Sequence, residues 1–99
     1  MAVELVVAPE VAQDVEEAYI WYEERRSGLG EEFLGCVDTS IQTICRSPEL
    51  YPKIYQEYRR ALISHFPYAV FYEYLTEKIY IYSVFHTSLN PDKWRKRLA

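Results

Sequence analysis

Residues 69–86 read AVFYEYLTEKIYIYSVFH, and the rest of the predicted fold is built around this segment. Two runs rich in aromatic and β-branched residues, 69–75 and 78–86, flank the dipeptide Thr76-Glu77. Such side chains favour strands, and a connection this short predicts an antiparallel hairpin. In the second run both alternating sets of side chains are mostly apolar or aromatic, which is typical of a strand that is covered on two sides. The stretch therefore predicts the centre of a sheet.

The neighbouring segments extend this sheet. Residues 58–64 predict a further strand that turns back through residues 65–68, and residues 3–8 form a short apolar run that predicts an N-terminal strand. Residues 51–55 fit either a loop or a short edge strand. Pro52 favours the edge, because proline cannot donate a hydrogen bond to a ladder.

Two helices are predicted between the first strand and the others. Pro9 suits the first position of a helix that ends near Arg26, since Ser27-Gly28 supplies a break, and the second helix begins near Gly30. Their apolar stripes are Val11, Val15, Ala18, Tyr19 and Tyr22, and then Phe33, Leu34, Val37, Ile41 and Ile44. Helices joined by about four residues fold back as an antiparallel hairpin.

The predicted fold is therefore α+β, in the order β-α-α-β-β-β(-β). An N-terminal helical hairpin packs on one face of a mainly antiparallel sheet, which makes two layers. Asn90-Pro91 begins a short basic C-terminal helix or tail. The 99 residues fit a single domain, 1–99.

Composition narrows the class of protein. Hydrophobic residues make up 49% of the chain, which argues against disorder. We expect a cytoplasmic protein, because no apolar run approaches the roughly 18 residues of a membrane span and the N-terminus has no basic leader. Cys36 and Cys45 fall in one predicted helix about 13 Å apart along its axis, too far for a disulfide. Neither a metal site nor a cofactor is expected.

Charge is distributed unevenly along the chain, whose net charge is −4. Residues 9–50 carry ten acidic and three basic side chains, whereas residues 51–99 carry four acidic and eight basic ones. This pattern suits an acidic outer helical surface and a basic working surface. Charges that merely keep both faces in water would give the same pattern.

The chain resembles the RelE/ParE toxin superfamily of type II toxin–antitoxin systems, and the ParE-like branch more than the RelE-like branch. The residues that carry the resemblance follow the family order: Ala12 and Asp14, Trp21-Tyr22-Glu23-Glu24-Arg25-Arg26, Gly28-Leu29-Gly30 with Glu32-Phe33, Ser47-Pro48, Arg59-Arg60, Phe66-Pro67-Tyr68 with Val70-Phe71-Tyr72, His86, and Asn90-Pro91 with Trp94 and Arg97. The resemblance implies a toxin that is held in a hetero-oligomer with a cognate antitoxin.

Three functions are compatible with this resemblance. ParE-like members inhibit DNA gyrase by binding, without chemistry of their own. RelE-like members are ribosome-dependent mRNA endonucleases, whose partners would be the ribosome and mRNA. A degenerate toxin would act only as an antitoxin-binding module. No tyrosine follows Tyr82, and Thr87-Ser88-Leu89 stand where many relatives carry an arginine, which disfavours the nuclease.

Basic side chains are the candidates for binding a target or a phosphate, because arginine can bind phosphate or carboxylate through two hydrogen bonds. They are Lys53, Arg59, Arg60, Arg95 and Arg97. Arg59 and Arg60 are adjacent in a strand, so they point to opposite faces, and one of them should be exposed. The alternative is that both are structural and paired with helix carboxylates such as Glu23. In a nuclease, Arg60 and His86 would be catalytic, His86 as acid or base. The alternative for His86 is an ordinary hydrogen-bonding residue at the end of a strand.

Aromatic residues are the candidates for binding the antitoxin: Trp21, Tyr22, Tyr72 and Tyr74. Trp21 lies beside the apolar stripe of the first helix, so it could also cap the helical hairpin, and burial in the core is the placement that we favour for this residue. Trp94, within the basic C-terminal stretch, is expected to pack onto the core.

Overall fold

A computed structural model describes residues 3–88 and 90–98, without the side chain of Trp94, so its expected packing lies outside the described residues. The elements are β1 (Glu4–Val7), α1 (Pro9–Arg25), α2 (Leu29–Arg46), β2 (Lys53–Tyr55), β3 (Tyr58–Leu62), β4 (Tyr68–Leu75), β5 (Lys78–His86) and α3 (Pro91–Leu98). The predicted order of elements is confirmed, and residues 53–55 form the edge strand that Pro52 favoured. The strand predicted over 58–64 ends two residues earlier, at Leu62.

The five strands form one sheet in the order β1-β5-β4-β3-β2. β1 lies parallel to β5, and the other pairs are antiparallel. The chain between β1 and β5 contains the helical hairpin and strands β2, β3 and β4, so it is longer than the crossover that a parallel pair requires. Between β4 and β5, Thr76 and Glu77 both have positive φ angles, 49° and 63°, as in a type I′ hairpin turn.

The turn between α1 and α2 is held by one carboxylate. Glu23 accepts hydrogen bonds from the backbone N–H groups of Gly28, at 3.0 Å, and Gly30, at 2.9 Å. Gly28 has φ +91°, a left-handed conformation that favours glycine. A Cβ atom at Gly30 would lie 2.7 Å from the ring of Tyr19. The conformation of the turn favours glycine at position 28, and a side chain at position 30 would require the ring of Tyr19 to move.

The main core lies between the helical hairpin and one face of the sheet, here called the helix face. Its largest fully buried side chains are Tyr72, Phe33, Ile44, Ile79, Ile81, Val70 and Val84. At one end of the core the rings of Tyr22, Phe33 and Phe66 pack mostly edge to face, and their centroids are at most 5.4 Å apart. Such ring pairs add about 0.5–1.5 kcal/mol beyond the area that they bury.

The opposite face of the sheet, here called the α3 face, is partly covered by the C-terminal helix. Leu98 of α3 is buried against Ala69 and Phe71 of β4, and the hydroxyl of Tyr58 donates to the carbonyl of Leu98 at 2.5 Å. The two-layer α+β arrangement is confirmed, and α3 adds cover on this second face. Within residues 3–88 and 90–98, no helix is long and apolar enough to cross a membrane. Cys36 and Cys45 are both free thiols.

Tyr72 connects the centre of the sheet to the loop after α2. Its side chain is fully buried, and its hydroxyl donates to the carbonyl of Pro48 at 2.7 Å. Burial raises the pKa of Tyr72 to about 12. The hydroxyl therefore stays protonated at neutral pH and fixes the start of the 47–52 loop against the core.

Replacing Tyr72 by phenylalanine should lower the free energy of unfolding by about 1–2 kcal/mol, because the carbonyl of Pro48 loses its donor. Urea denaturation at pH 7 measures this change. The control is Tyr80→Phe, since Tyr80 is only half-buried and its hydroxyl forms no hydrogen bond within the described part of the chain. A loss of equal size in both variants would contradict a structural role for the Tyr72 hydroxyl.

Candidate functional site

The α3 face presents tyrosine rings around one carboxylate. Tyr82 donates a hydrogen bond to Oε1 of Glu73 at 2.8 Å, and its ring lies 5.4 Å from Tyr58 and 6.3 Å from Tyr80. Burial, together with this hydrogen bond, raises the pKa of Tyr82 well above its usual value. Tyr82 therefore remains protonated at neutral pH and cannot act as a general base there. The face therefore offers aromatic rings for stacking and the hydrogen-bonded carboxylate of Glu73.

Arg59 points to the helix face, where it supports the loop after α2. Its guanidinium donates to the carbonyl of Tyr51 at 2.5 Å and to the carbonyl of Glu49 at 3.3 Å. These partners are loop carbonyls, not the carboxylate of Glu23, which holds the α1–α2 turn. Arg59 thus has a structural position, which leaves it poorly placed for the predicted contact with a target or phosphate.

Arg60 points to the α3 face, opposite Phe71 in the register of β3 and β4. It is half-buried, and its side chain takes part in none of the ion pairs or hydrogen bonds found among residues 3–88 and 90–98. The expectation that the two adjacent arginines face opposite sides is confirmed. Arg60 is the one that is available for a partner.

Two further basic candidates lie next to acidic side chains. Nζ of Lys53 is 2.8 Å from Oε2 of Glu57, and the guanidinium of Arg95 is 3.8 Å from Oδ1 of Asp92. All four side chains are largely exposed, so each contact is weak. The contacts nevertheless reduce the positive charge that Lys53 and Arg95 would present to a phosphate.

Arg97 is paired most completely, through a two-pronged contact with Asp14 of α1. Its Nη1 and Nη2 donate to Oδ1 and Oδ2 of Asp14 at 3.1 and 2.9 Å, and Oδ2 also accepts the backbone N–H of Val84 at 3.1 Å. Burial raises the pKa of Asp14 above its usual value, although the Val84 N–H and Arg97 act in the opposite direction. This contact neutralises Arg97 and joins α3 to α1 around the edge of β5.

His86 does not lie beside Arg60. It is opposite Tyr68 in the register of β4 and β5, and its ring packs edge-on against Tyr68 at 5.1 Å. Its Nδ1 accepts the N–H of Ser88 at 3.0 Å. Tyr68 belongs to the helix-face core, whereas Arg60 points to the α3 face. The structure therefore does not bring the two predicted catalytic residues of a nuclease together.

A groove of about 990 Å³ runs between α1 and the end of β5, and is here called the α1 groove. β1 pairs with β5 only as far as Ile81, so the edge of β5 beyond this residue faces the groove. The lining includes Glu10, Glu17 and Trp21 from α1 and Tyr68 from β4.

The four candidate antitoxin contacts differ in exposure. Trp21 is 50% exposed in the α1 groove, so the favoured prediction that it lies in the core is wrong. Tyr22 is 8% exposed and Tyr72 is 0% exposed, because both pack under the helical hairpin. These two placements correct the sequence prediction, since neither ring has the exposed surface that an antitoxin contact needs. Tyr74 is half-buried against the helix-face core.

Two solved structures resemble the chain over most of its length. One is a chain of the chromosomal ParDE TA system from P. aeruginosa, with a TM-score of 0.65 and 14% identity over 86% of this chain and 96% of that one. The other is a double mutant of the E. coli toxin RelE in the free state. Its TM-score is 0.61, and its identity is 14% over 99% of this chain and 96% of that one. The chain has the RelE/ParE toxin fold. No family model matches its sequence, and a search of curated proteins finds no match either.

Two acidic residues of this domain acquire a role only in the folded structure. Asp14 accepts the β5 N–H and pairs with Arg97, and Glu73 accepts the hydrogen bond of Tyr82. The sequence contains a signal for Asp14, because it is an acidic residue between two apolar stripe positions, Val11 and Val15. Glu73 alternates with aromatic residues in β4, which indicates only that it lies on one face of the strand.

Replacing Arg97 by alanine should lower the free energy of unfolding at pH 7 by about 1–3 kcal/mol, because the partly buried Asp14 carboxylate loses its charged partner. Without Arg97 the folded pKa of Asp14 rises further above its unfolded value. The loss should therefore be largest above that folded pKa and shrink as the pH falls through it, since protonated Asp14 needs no cation.

Urea denaturation at pH 7 and near pH 4 measures this difference. The control is Arg26→Ala, which breaks the exposed pair with Glu32 and should change stability by less than about 0.5 kcal/mol at either pH. A loss for Arg97→Ala that does not depend on pH would instead indicate that its contact with the ring of Phe85, at 4.9 Å, is what stabilises α3.

Proposed function

We propose that the chain is the toxin of a type II toxin–antitoxin system and that it inhibits growth by binding a protein target. DNA gyrase is the target that the ParE-like resemblance favours. The support for a toxin is the fold, which the chain shares with a ParDE chain and with RelE at TM-scores of 0.65 and 0.61. In this proposal residues 1–99 act as one domain in the cytoplasm, without a cofactor, and an antitoxin neutralises them.

The charges on the described surface favour protein binding over RNA cleavage. Cleavage requires several cations to stabilise the extra charge that develops on the phosphate in the transition state. Of the basic candidates, Arg59 binds backbone carbonyls and Arg97 pairs with Asp14, whereas Lys53 and Arg95 lie beside acids. Arg60 is the exception. The separation of Arg60 and His86 is a further argument against a nuclease.

The α3 face carries the residue types that dominate protein interfaces. Tyrosine and arginine are enriched among the residues that contribute most to protein–protein affinity. Arg60 lies on the same face as Tyr58, Tyr80 and Tyr82, and the carboxylate of Glu73 would repel a polyanion. We therefore assign target binding to Arg60 and to the neighbouring tyrosines.

Induction of the chain without an antitoxin should arrest bacterial growth without creating new RNA 5′ ends within translated codons. The purified protein should inhibit supercoiling by gyrase, and Arg60→Glu should weaken this inhibition at least about tenfold, because a contact of the arginine is replaced by repulsion. The control is Arg46→Glu, which makes the same charge change at the exposed end of α2 and should inhibit normally.

Each other outcome selects a different function. New RNA ends inside codons would overturn the gyrase proposal and favour a RelE-like mRNA endonuclease. Harmless expression together with tight antitoxin binding would indicate a degenerate toxin that is retained as a binding module.

A further inference from the structure

The α1 groove carries net negative charge. Glu10 and Glu17 of α1 line it, both are exposed, and neither is paired with a cation in the part of the chain that the structure describes. Glu17 only accepts a hydrogen bond from Gln13. The third acid of the groove, Asp14, is neutralised by Arg97. Two uncompensated carboxylates therefore face the groove.

The same groove exposes a large apolar side chain. The indole of Trp21 lies at the groove, where it packs edge-on against Tyr22 at 5.1 Å and is stacked by the guanidinium of Arg25 at 3.7 Å. Tyr22 and Arg25 thus flank the ring, and half of its surface is open. Tryptophan is enriched among the residues that contribute most to the affinity of protein interfaces.

A partner cannot simply add a strand to β5 in this groove. Strand addition requires the unpaired N–H and C=O groups of a sheet edge. The N–H of Val84, in the middle of that edge, already donates to Asp14, and Arg97 covers the same carboxylate. The obstruction favours a helix that lies along α1 and packs its side chains into the groove.

We propose that the α1 groove binds a cationic, amphipathic helix of the antitoxin. This inference rests on the proposed toxin function and adds the chemistry of the segment that neutralises it. Glu10 and Glu17 are separated by about 10.5 Å along α1, because an α-helix rises 1.5 Å per residue. A helix alongside α1 therefore carries lysine or arginine at two positions about two turns apart, and a bulky apolar residue that packs against Trp21.

The experiment is a selection from a displayed library of helical peptides, with the purified full-length chain as target. Peptides of about 18 residues are long enough to form a stable amphipathic helix when bound. We expect the enriched peptides to carry two cationic residues one heptad apart beside an apolar face. Their affinity, measured by fluorescence anisotropy, should fall as NaCl is raised from about 0.05 to 0.5 M, because salt screens exposed ion pairs.

Variants of the chain then locate the binding site. Glu10→Lys with Glu17→Lys should weaken the enriched peptides at least about tenfold, and Trp21→Ala by about tenfold. The matched control is Glu16→Lys with Asp38→Lys, which makes the same charge change at exposed positions outside the groove lining and should change affinity less than about twofold. Circular dichroism checks that every variant is folded.

The outcomes for the groove and for the toxin function can be separated. The groove proposal is overturned if the selection gives no binders. It is also overturned if the enriched peptides bind the variant with Glu10→Lys and Glu17→Lys as tightly as they bind the unchanged chain. If the chain arrests growth and a neutralising protein binds that variant with unchanged affinity, the groove proposal also fails while the toxin function stands. If groove-dependent peptides are found but expression is harmless, the groove stands and the proposed toxin function fails.

Discussion

The carboxylate of Asp14 joins three parts of the chain that are far apart in sequence. It accepts the N–H of Val84 at the open edge of β5 and pairs through both oxygens with Arg97 of α3. The buried N–H of Val84 needs an acceptor, which the carboxylate of Asp14 provides. The partly buried carboxylate in turn needs a cation, which Arg97 provides. Through this contact α1, which covers the helix face, and α3, which covers the α3 face, are fixed around the same strand.

This contact also determines which charges remain for binding. With Arg97 neutralised and Arg59 bound to loop carbonyls, Arg60 is the arginine of the sheet that stays available on the α3 face, beside a carboxylate and several tyrosines. On the other side of the contact, Glu10 and Glu17 keep their charge in the α1 groove. The uneven charge of the sequence thus resolves into an aromatic face that carries both Arg60 and Glu73, and a groove that carries acidic side chains left unpaired within the described part of the chain.

Much of the architecture follows from local patterns. The helical stripes around Val11 and Phe33, the break at Gly28 and the hairpin at Thr76-Glu77 all agree with the folded chain, because periodicity and turn chemistry act over a few residues. The candidate site was harder to predict. Tyr72 was a candidate antitoxin contact and is fully buried, since β4 is the central strand and the sequence does not specify which of its alternating faces the helices cover.

The fold class, the order of the elements and the opposite orientation of Arg59 and Arg60 could be predicted from the sequence, since each depends on residues that are close in the chain. Which arginine is available and where His86 lies depend instead on tertiary packing. The contact between α1 and α3 likewise depends on packing, since it joins Asp14 to Arg97, 83 residues further along the chain. Such a pairing depends on how the sheet, the hairpin and α3 pack, and no local pattern specifies it.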